Sequence, residues 1–206
     1  MTDQDIEILV RETPFKGFFR MDRYRLRHRK FDGTWTGVMQ REIFVRDDAV
    51  GILLYDPVQD SVVMVEQFRL PAHLVGRNAW ALEIPAGIIG QGESLEEVAR
   101  REVQEETGCQ VVSELKKICD FMPSIGGSAE KVTLYCARVD APEHGGLHGV
   151  EDEHEDIRVV IMMRTDAIRL VDDNQLDNGA AVIALHWLAR HWEELRREWL
   201  GDVAPA

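Results

Sequence analysis

The segment that most constrains this chain is a short amphipathic helix flanked by a serine and a glycine. Ser94 is a favourable N-cap, Glu97 three residues later completes a capping box, and Gly108 fits the C-terminal stop. The apolar residues between them recur at helical spacing and are Leu95, Val98, Ala99 and Val103. We therefore expect a helix over 94–107 with one face packed in a core.

Two kinds of glutamate occur on this helix. Glu96 and Glu97 lie near the positive N-terminal end, where a solvated carboxylate is favoured. Glu102 and Glu106 fall on the apolar arc and Glu105 lies at its edge, so unpaired burial would force one of them to take up a proton. A divalent cation removes this conflict, and oxygen ligands suit magnesium or manganese. Helix geometry leaves two alternatives open, a metal site and a structural cluster paired with arginine.

The rest of the chain mixes strand and helix patterns without a regular repeat. Alternating segments in 6–46, with a turn at Asp32-Gly33, predict a small antiparallel sheet. Later strands are predicted at 50–55, 62–68, 80–84, 117–122, 131–139 and 157–162, and a helix at 178–199. A polar loop at 141–156 is long enough to be functional. This order favours an α/β sandwich over a βαβ repeat.

Composition narrows the class of protein. The formal net charge of −13 argues against non-specific nucleic-acid binding, which relies on basic patches. No apolar run approaches the roughly 20 residues that span a bilayer, and no signal peptide is recognisable, so we expect a cytoplasmic protein without membrane contacts. Cys109, Cys119 and Cys136 have no metal-ligand spacing and are expected to be reduced, buried thiols.

Residues 87–109 carry a specific pattern, G-x5-E-x7-R-E-U-x-E-E-x-G-U, in which U is a bulky aliphatic residue. The matching residues are Gly87, Glu93, Arg101, Glu102, Val103, Glu105, Glu106 and Gly108, with Cys109 as a packing substitution at the last position. The chain therefore resembles the Nudix hydrolases. The resemblance implies a metal-binding loop–helix–loop in an α/β/α sandwich, and attack by water on a diphosphate linkage.

Outside this pattern the chain resembles the bacterial ADP-ribose pyrophosphatases of that family. The similar stretches include 11–13, 17–19, 25–29, 41–44, 66–67, 126–127, 152–159 and 177–185. The resemblance implies an N-terminal β-sheet domain at 1–47, exchanged between the subunits of a homodimer, and a Nudix hydrolase domain at 48–206. Each site would then be completed by the partner chain.

The resemblance also implies roles for individual residues at the metal site. The carbonyl of Ala86, with Glu102, Glu106 and Glu155, would hold two or three Mg²⁺ ions, with Mn²⁺ as a substitute. Glu153 would be the general base, since a metal-bound carboxylate has little basicity left for the attacking water. The alternative for Glu153 is one more solvated acid in an acidic loop.

For the substrate, the resemblance places Phe18 and Phe19 at adenine-contacting positions, where stacking would contribute about 1–3 kcal/mol. Their alternative is a place in the core of the N-terminal sheet. The other matched substrate-binding positions are Arg41, Glu42, Arg46, Arg69, Ile88, Ser124, Ile125, Gly126 and Glu130. The arginines suit this role because their planar fork binds phosphate oxygens bidentately.

The expected reaction is Mg²⁺-dependent hydrolysis of ADP-ribose to AMP and ribose 5-phosphate. One departure bears on the substrate, because Ile125 stands where the subfamily usually has a proline and the nearest proline is Pro123. The alternatives are a Nudix hydrolase of a GDP-sugar or a dinucleotide, and a non-catalytic regulator of the same fold. The second alternative is disfavoured because such regulators usually lose glutamates that this chain keeps.

Overall fold

The computed structural model describes residues 3–201, except for the side chains of Asp3 and Glu153. The chain forms two compact units. One consists of the chain up to Asp48 together with Met122–Lys131, and the other of Ala49–Phe121 together with the chain from Val132 onward. The segment 122–131 thus returns to the first unit, and the predicted domain boundary at 47/48 stays a prediction.

The first unit is a three-stranded antiparallel sheet, as the alternating patterns predicted. Its strands, in the order β1-β2-β3, are β1 (Ile6–Lys16), β2 (Arg20–His28) and β3 (Met39–Val45), after a 3₁₀ turn at Asp3–Asp5. In the turn between β2 and β3, Gly33 has φ +80° and Asp32 accepts a hydrogen bond from the Thr34 amide at 2.8 Å. Register shifts between Ile8 and Val10 and between Glu12 and Phe15 let β1 continue past Pro14.

The centre of this unit is polar. Asp22 is fully buried, and its carboxylate accepts hydrogen bonds from Arg11 at 2.7 Å and Thr13 at 2.8 Å, with Arg20 at 3.1 Å. Burial raises the pKa of Asp22, but the hydrogen bonds from Thr13 and Arg11 outweigh it and hold the pKa below its ordinary value. The buried centre of this unit is therefore an ionic cluster around Asp22 of β2 and not an apolar core.

Within residues 49–121 and 132–201, the second unit contains an eight-stranded mixed sheet and four α-helices. The sheet order is β10-β11-β5-β4-β9-β8, with β6 paired to β5 and β7 paired to β4. The elements are β4 (Ala49–Asp56), β5 (Ser61–Phe68), α1 (Leu70–Leu74), β6 (Trp80–Glu83), β7 (Ala86–Ile88), α2 (Leu95–Thr107), β8 (Lys116–Phe121), β9 (Val132–Arg138), β10 (Leu147–His148), β11 (Ile157–Met163), α3 (Arg164–Asp172) and α4 (Gly179–Leu200), with a 3₁₀ turn at Glu151–Glu153. Among the described strand pairs of this sheet, only β4–β9 is parallel.

Helices cover both faces of this sheet. Every residue of β4 but the first is buried, and its side chains alternate between two cores. Leu53 and Tyr55 pack with α4, while Ile52 and Leu54 pack with α2. The second unit is therefore an α/β/α sandwich with α2 on one layer, and the predicted fold class is confirmed.

Three sequence expectations were incomplete. The helices α1 and α3 were not predicted, and the loop at 141–156 contains the short strand β10. All three cysteines are free, but Cys119 is only half-buried, unlike Cys109 and Cys136. Within residues 3–201, no helix combines the length and apolarity that a membrane crossing requires.

Candidate active site

The predicted capping geometry sets the start and end of α2. The Ser94 side chain accepts a hydrogen bond from the Glu97 amide at 3.3 Å, and the Ser94 amide donates to the Glu97 carboxylate at 2.9 Å. Gly108 ends the helix with φ +67°. These caps fix which residues of the helix face the sheet.

Glu106 and Glu102 lie on the sheet side of α2, beside β7. Glu106 is only 2% exposed, and its Oε2 accepts a hydrogen bond from the Ala86 amide at 3.1 Å. The Glu102 carboxylate lies across Gly87 so closely that a Cβ at this position would overlap it. The glycine at the start of the Nudix pattern therefore makes room for a carboxylate.

Both carboxyl groups have raised pKa values in the absence of a cation. Burial is the largest cause for each and raises the pKa of Glu106 to about 8 and that of Glu102 to about 7. Their mutual repulsion and the charge of Glu155 raise the pKa of Glu106 further, against the hydrogen bond from Ala86. Carboxylates that repel each other in a buried place favour a bound cation as a partner.

Arg101 pairs with part of the acidic cluster, by which we mean Glu93, Glu102, Glu105 and Glu106 on and before α2. Its Nη1 lies 2.9 Å from both Glu102 Oε1 and Glu105 Oε2, and its Nε lies 3.5 Å from Glu93 Oε1. The arginine-paired alternative is thus realised for Glu102 and Glu105. Glu106 is not among the ion pairs of Arg101, so one buried acid is left without a close cation among the described side chains.

A backbone hydrogen bond joins the loop at 141–156, which contains Glu153 and Glu155, to α2. The Gly149 amide donates to the Glu105 carbonyl at 3.3 Å, and Glu155 Oε2 accepts from the Val150 amide at 3.2 Å. Glu153 belongs to the 3₁₀ turn, but its side chain lies outside the described part of the structure. The described side chains contain no group of three or more His, Cys, Asp or Glu arranged as a preformed metal site.

Arg69 and Ile88 are the substrate-binding candidates of the second unit. Arg69 directs Nε and Nη2 to the Glu83 carboxylate, with Nη2 at 2.8 Å from Oε2. Burial lowers the pKa of Arg69, but Glu83 and the charges of Glu106 and Glu155 raise it above its ordinary value. Arg69 therefore lies within electrostatic reach of the acidic cluster, and Ile88, at the end of β7, is 39% exposed.

The aromatic candidates of the first unit differ in burial. Phe18 is 87% exposed, whereas Phe19 is half-buried and makes edge contacts with Phe18 and Phe44 at centroid distances of 4.8 and 5.0 Å. The Arg46 guanidinium lies 4.9 Å from the Phe19 ring. The core alternative therefore does not hold for Phe18, while Phe19 belongs to a small aromatic cluster.

The remaining candidates of the first unit lie on β3 and on 122–131. Arg41 and Glu42 are exposed, and Glu42 pairs with Arg23 at 3.2 Å. Arg46 pairs with the buried Glu130 at 3.3 Å. The exposed residues Ser124, Ile125 and Gly126 lie in a turn in which the Ser124 carbonyl accepts from the amides of Gly127 and Ser128. Hydrogen bonds between Phe44 and residues 127 and 129 join this turn to β3.

A model of the NUDIX domain matches residues 45–185. The chain belongs to the Nudix family. It is 45% identical over 195 residues to an ADP-ribose pyrophosphatase of Escherichia coli K12, covering 95% of this chain and 93% of the relative. An ADP-ribose pyrophosphatase of Haemophilus influenzae is 38% identical over 96% of this chain and 92% of its own length. A GDP-mannose pyrophosphatase of Yersinia pestis is 33% identical, covering 91% and 93%.

Sequence reasoning missed one residue of this Nudix site. Glu83 is 7% exposed and holds Arg69, but no motif identified it. A signal was present, because Glu83 is a lone charge in the apolar segment 80–84, and a buried charge requires a partner. The identity of that partner depends on the pairing of β5 with β6, which the sequence does not specify.

Proposed function

We propose that this chain hydrolyses ADP-ribose to AMP and ribose 5-phosphate. The observation that carries the proposal is the pair of carboxylates, buried Glu106 and partly buried Glu102, of which Glu102 packs against Gly87 within a complete Nudix pattern. The names of the more similar relatives support ADP-ribose as the substrate. A GDP-mannose-type substrate is the second candidate, since a 33% identical relative bears that name and Ile125 departs from the expected proline.

The acidic cluster fits a divalent cation. Among the described side chains, Glu106 is buried and in none of the ion pairs. Burial, with smaller repulsion from neighbouring carboxylates, raises the pKa of both Glu102 and Glu106, and a bound metal ion would offset this cost of ionisation. The Ala86 carbonyl, Glu102, Glu106 and Glu155 would hold two or three Mg²⁺ ions, and Mn²⁺ would substitute. When bound, these ions stabilise charge on the diphosphate and acidify the attacking water.

Residues of the chain itself supply proton transfer and substrate binding. Glu153, on the loop docked to α2, takes the proton of the attacking water as general base. Arg41, Arg46 and Arg69 bind the diphosphate and neighbouring groups, because guanidinium groups pair well with phosphate oxygens. Phe18 and Phe19 contact adenine, and stacking on the exposed Phe18 would contribute about 1–3 kcal/mol.

The remaining substrate positions complete the proposed pocket. Ile88 offers an apolar contact at the end of β7, and Glu42 lies on β3 next to Arg41. Glu130 holds Arg46, and the turn formed by Ser124, Ile125 and Gly126 would line the ribose and phosphate end. These assignments follow the family's matched positions.

A homodimer with exchanged N-terminal sheets is part of the proposal. Strand β1 exposes Ile6, Ile8, Leu9, Val10 and Phe15 by 37–62% each, although it pairs only with β2 among the described strands. An exposed apolar strand of this length favours a partner surface. A second copy of the chain would cover it and supply the aromatic side chains to the site. The acidic net charge supports a protein without nucleic-acid partners, and we expect it in the cytoplasm.

A hydrolysis panel at fixed Mg²⁺ tests the substrate. ADP-ribose, GDP-mannose and the dinucleotides NADH and FAD are compared by kcat/KM, with AMP and ribose 5-phosphate identified as products. We expect ADP-ribose to have the highest value. A clear preference for GDP-mannose would favour the second candidate, and no hydrolysis of any member would favour the non-catalytic alternative.

A further inference from the structure

The carboxylate of Glu83 is buried behind Arg69, one of the proposed substrate-binding arginines. Glu83 ends β6 and is 7% exposed, whereas the side chain of Arg69 is 45% exposed. Arg69 Nε lies 3.2 Å from both carboxylate oxygens, and Nη2 lies 2.8 Å from Oε2. One edge of the guanidinium is therefore fixed by the protein interior while the rest reaches the surface.

The backbone and a neighbouring side chain hold this pair in place. The Arg69 amide donates to the Ala79 carbonyl at 2.7 Å, which ties the end of β5 to the start of β6. Gln67 Nε2 donates to Glu83 Oε2 at 3.4 Å from the buried side of β5. Strand register places Val65 opposite Glu83, so the backbone of Glu83 is fixed within the sheet.

The free end of Arg69 is available for an anion. Within the described part of the chain, Nη1 donates no hydrogen bond to protein, while Nε and Nη2 are used by Glu83. A flexible arginine loses side-chain entropy when it binds a phosphate, and an arginine already held along one edge loses less. The charges of Glu106 and Glu155 also attract this guanidinium. The hydrogen bonds to Glu83 oppose a shift of the Arg69 side chain towards those carboxylates.

We propose that Glu83 is a positioning residue that holds Arg69 ready to bind the diphosphate of the substrate. This rests on the proposed function, because it assigns a diphosphate to the site. Glu83 acts through Arg69 and touches no substrate. Its loss should therefore weaken diphosphate binding more than it slows the chemical step.

The test is a double-mutant cycle with Glu83→Gln and Arg69→Met. We expect Glu83→Gln to raise KM for ADP-ribose about tenfold, with kcat changed less than about threefold. In the Arg69→Met background, Glu83→Gln should add less than a twofold further rise. Additive effects would show that Glu83 acts independently of Arg69 and would overturn the proposal, as would an unchanged KM in the single variant.

A matched control and a second readout separate positioning from folding. Asp60→Asn removes the counterion of Arg164, another arginine held bidentately at 2.8 and 2.9 Å, but away from the acidic cluster. It should lower Tm and leave KM unchanged. Should Glu83→Gln not fold, Glu83→Asp keeps the counter-charge and should raise KM by a smaller factor, and an unchanged KM there would overturn the proposal.

Binding of inorganic pyrophosphate distinguishes failure of this proposal from failure of the substrate assignment. Calorimetry on the metal-free protein should show that Glu83→Gln and Arg69→Met raise the Kd for pyrophosphate by similar factors. If both substitutions weaken pyrophosphate binding but the wild-type protein does not hydrolyse ADP-ribose, only the proposed function fails. If Glu83→Gln leaves the Kd unchanged, the positioning role fails.

Discussion

Replacing Glu106 with glutamine should stabilise the metal-free protein while abolishing activity. The pKa of Glu106 is about 8 in the folded protein, whereas it has its ordinary value of 4.5 in the unfolded chain. Between these two pH values the folded state binds more protons than the unfolded state, so stability falls as pH rises through this window. Glutamine does not titrate and can still accept the Ala86 hydrogen bond.

The expected gain depends on pH. The interval from 4.5 to about 8, at about 1.4 kcal/mol for each pH unit, sets an upper bound of roughly 5 kcal/mol above pH 8. Relaxation around the ionised carboxylate reduces this, so we expect Glu106→Gln to raise the free energy of unfolding by about 2–3 kcal/mol at pH 9 and by less than about 0.5 kcal/mol at pH 4.

Urea denaturation in EDTA at the two pH values measures this difference. Glu96→Gln is the matched control, because Glu96 is exposed on the same helix and should change stability little at either pH. Added Mg²⁺ should stabilise the wild type but not Glu106→Gln. Equal stabilities of wild type and Glu106→Gln at pH 9, or undiminished hydrolysis by the variant, would refute the assignment of Glu106 as a buried metal ligand.

Three further substitutions test other parts of the site. Gly87→Ala should depress kcat/KM by at least about a hundredfold, because its Cβ would displace the Glu102 carboxylate. The control Gly179→Ala, with open space around the new Cβ, should leave kcat/KM unchanged. Normal activity of Gly87→Ala would contradict the close packing of Gly87 and Glu102. Glu153→Gln should lower kcat by about 10²–10⁴-fold and keep the metal-induced rise in Tm, and loss of that rise would make Glu153 a metal ligand instead of the base. Phe18→Ala should raise KM about 5–100-fold without lowering Tm, since Phe18 is 87% exposed; an unchanged KM would remove it from the adenine site.

Local patterns made α2 predictable. Its caps, apolar arc and acidic positions all lie within fifteen residues, so periodicity alone placed Glu102 and Glu106 on the sheet side. The same approach missed α3. Its N-cap makes no side-chain hydrogen bond, and its first residue, Arg164, is held by Asp60, more than a hundred residues away. A helix that starts on a long-range ion pair has no local start signal.

For the site, too, local sequence patterns pointed to individual residues but not to their partners. The charged residue Glu83 could be recognised as unusual, but its role depends on Arg69, which is fourteen residues away across α1 and β6. The arginine-paired cluster was likewise one of two open alternatives. It holds for Glu102 and Glu105, which Arg101 binds, whereas the metal role of Glu106 stays a prediction. Periodicity determines the face on which a residue lies, and strand pairing determines which residue it meets there.

The proposed hydrolysis of ADP-ribose to AMP and ribose 5-phosphate requires water to attack the diphosphate, and we expect this attack at the adenosyl phosphorus. Hydrolysis of ADP-ribose in ¹⁸O-labelled water with Mg²⁺, followed by mass spectrometry of both products, tests it directly. We expect one ¹⁸O atom in AMP and none in ribose 5-phosphate. Label in ribose 5-phosphate would contradict the site of attack, and the absence of both products would contradict ADP-ribose as the substrate.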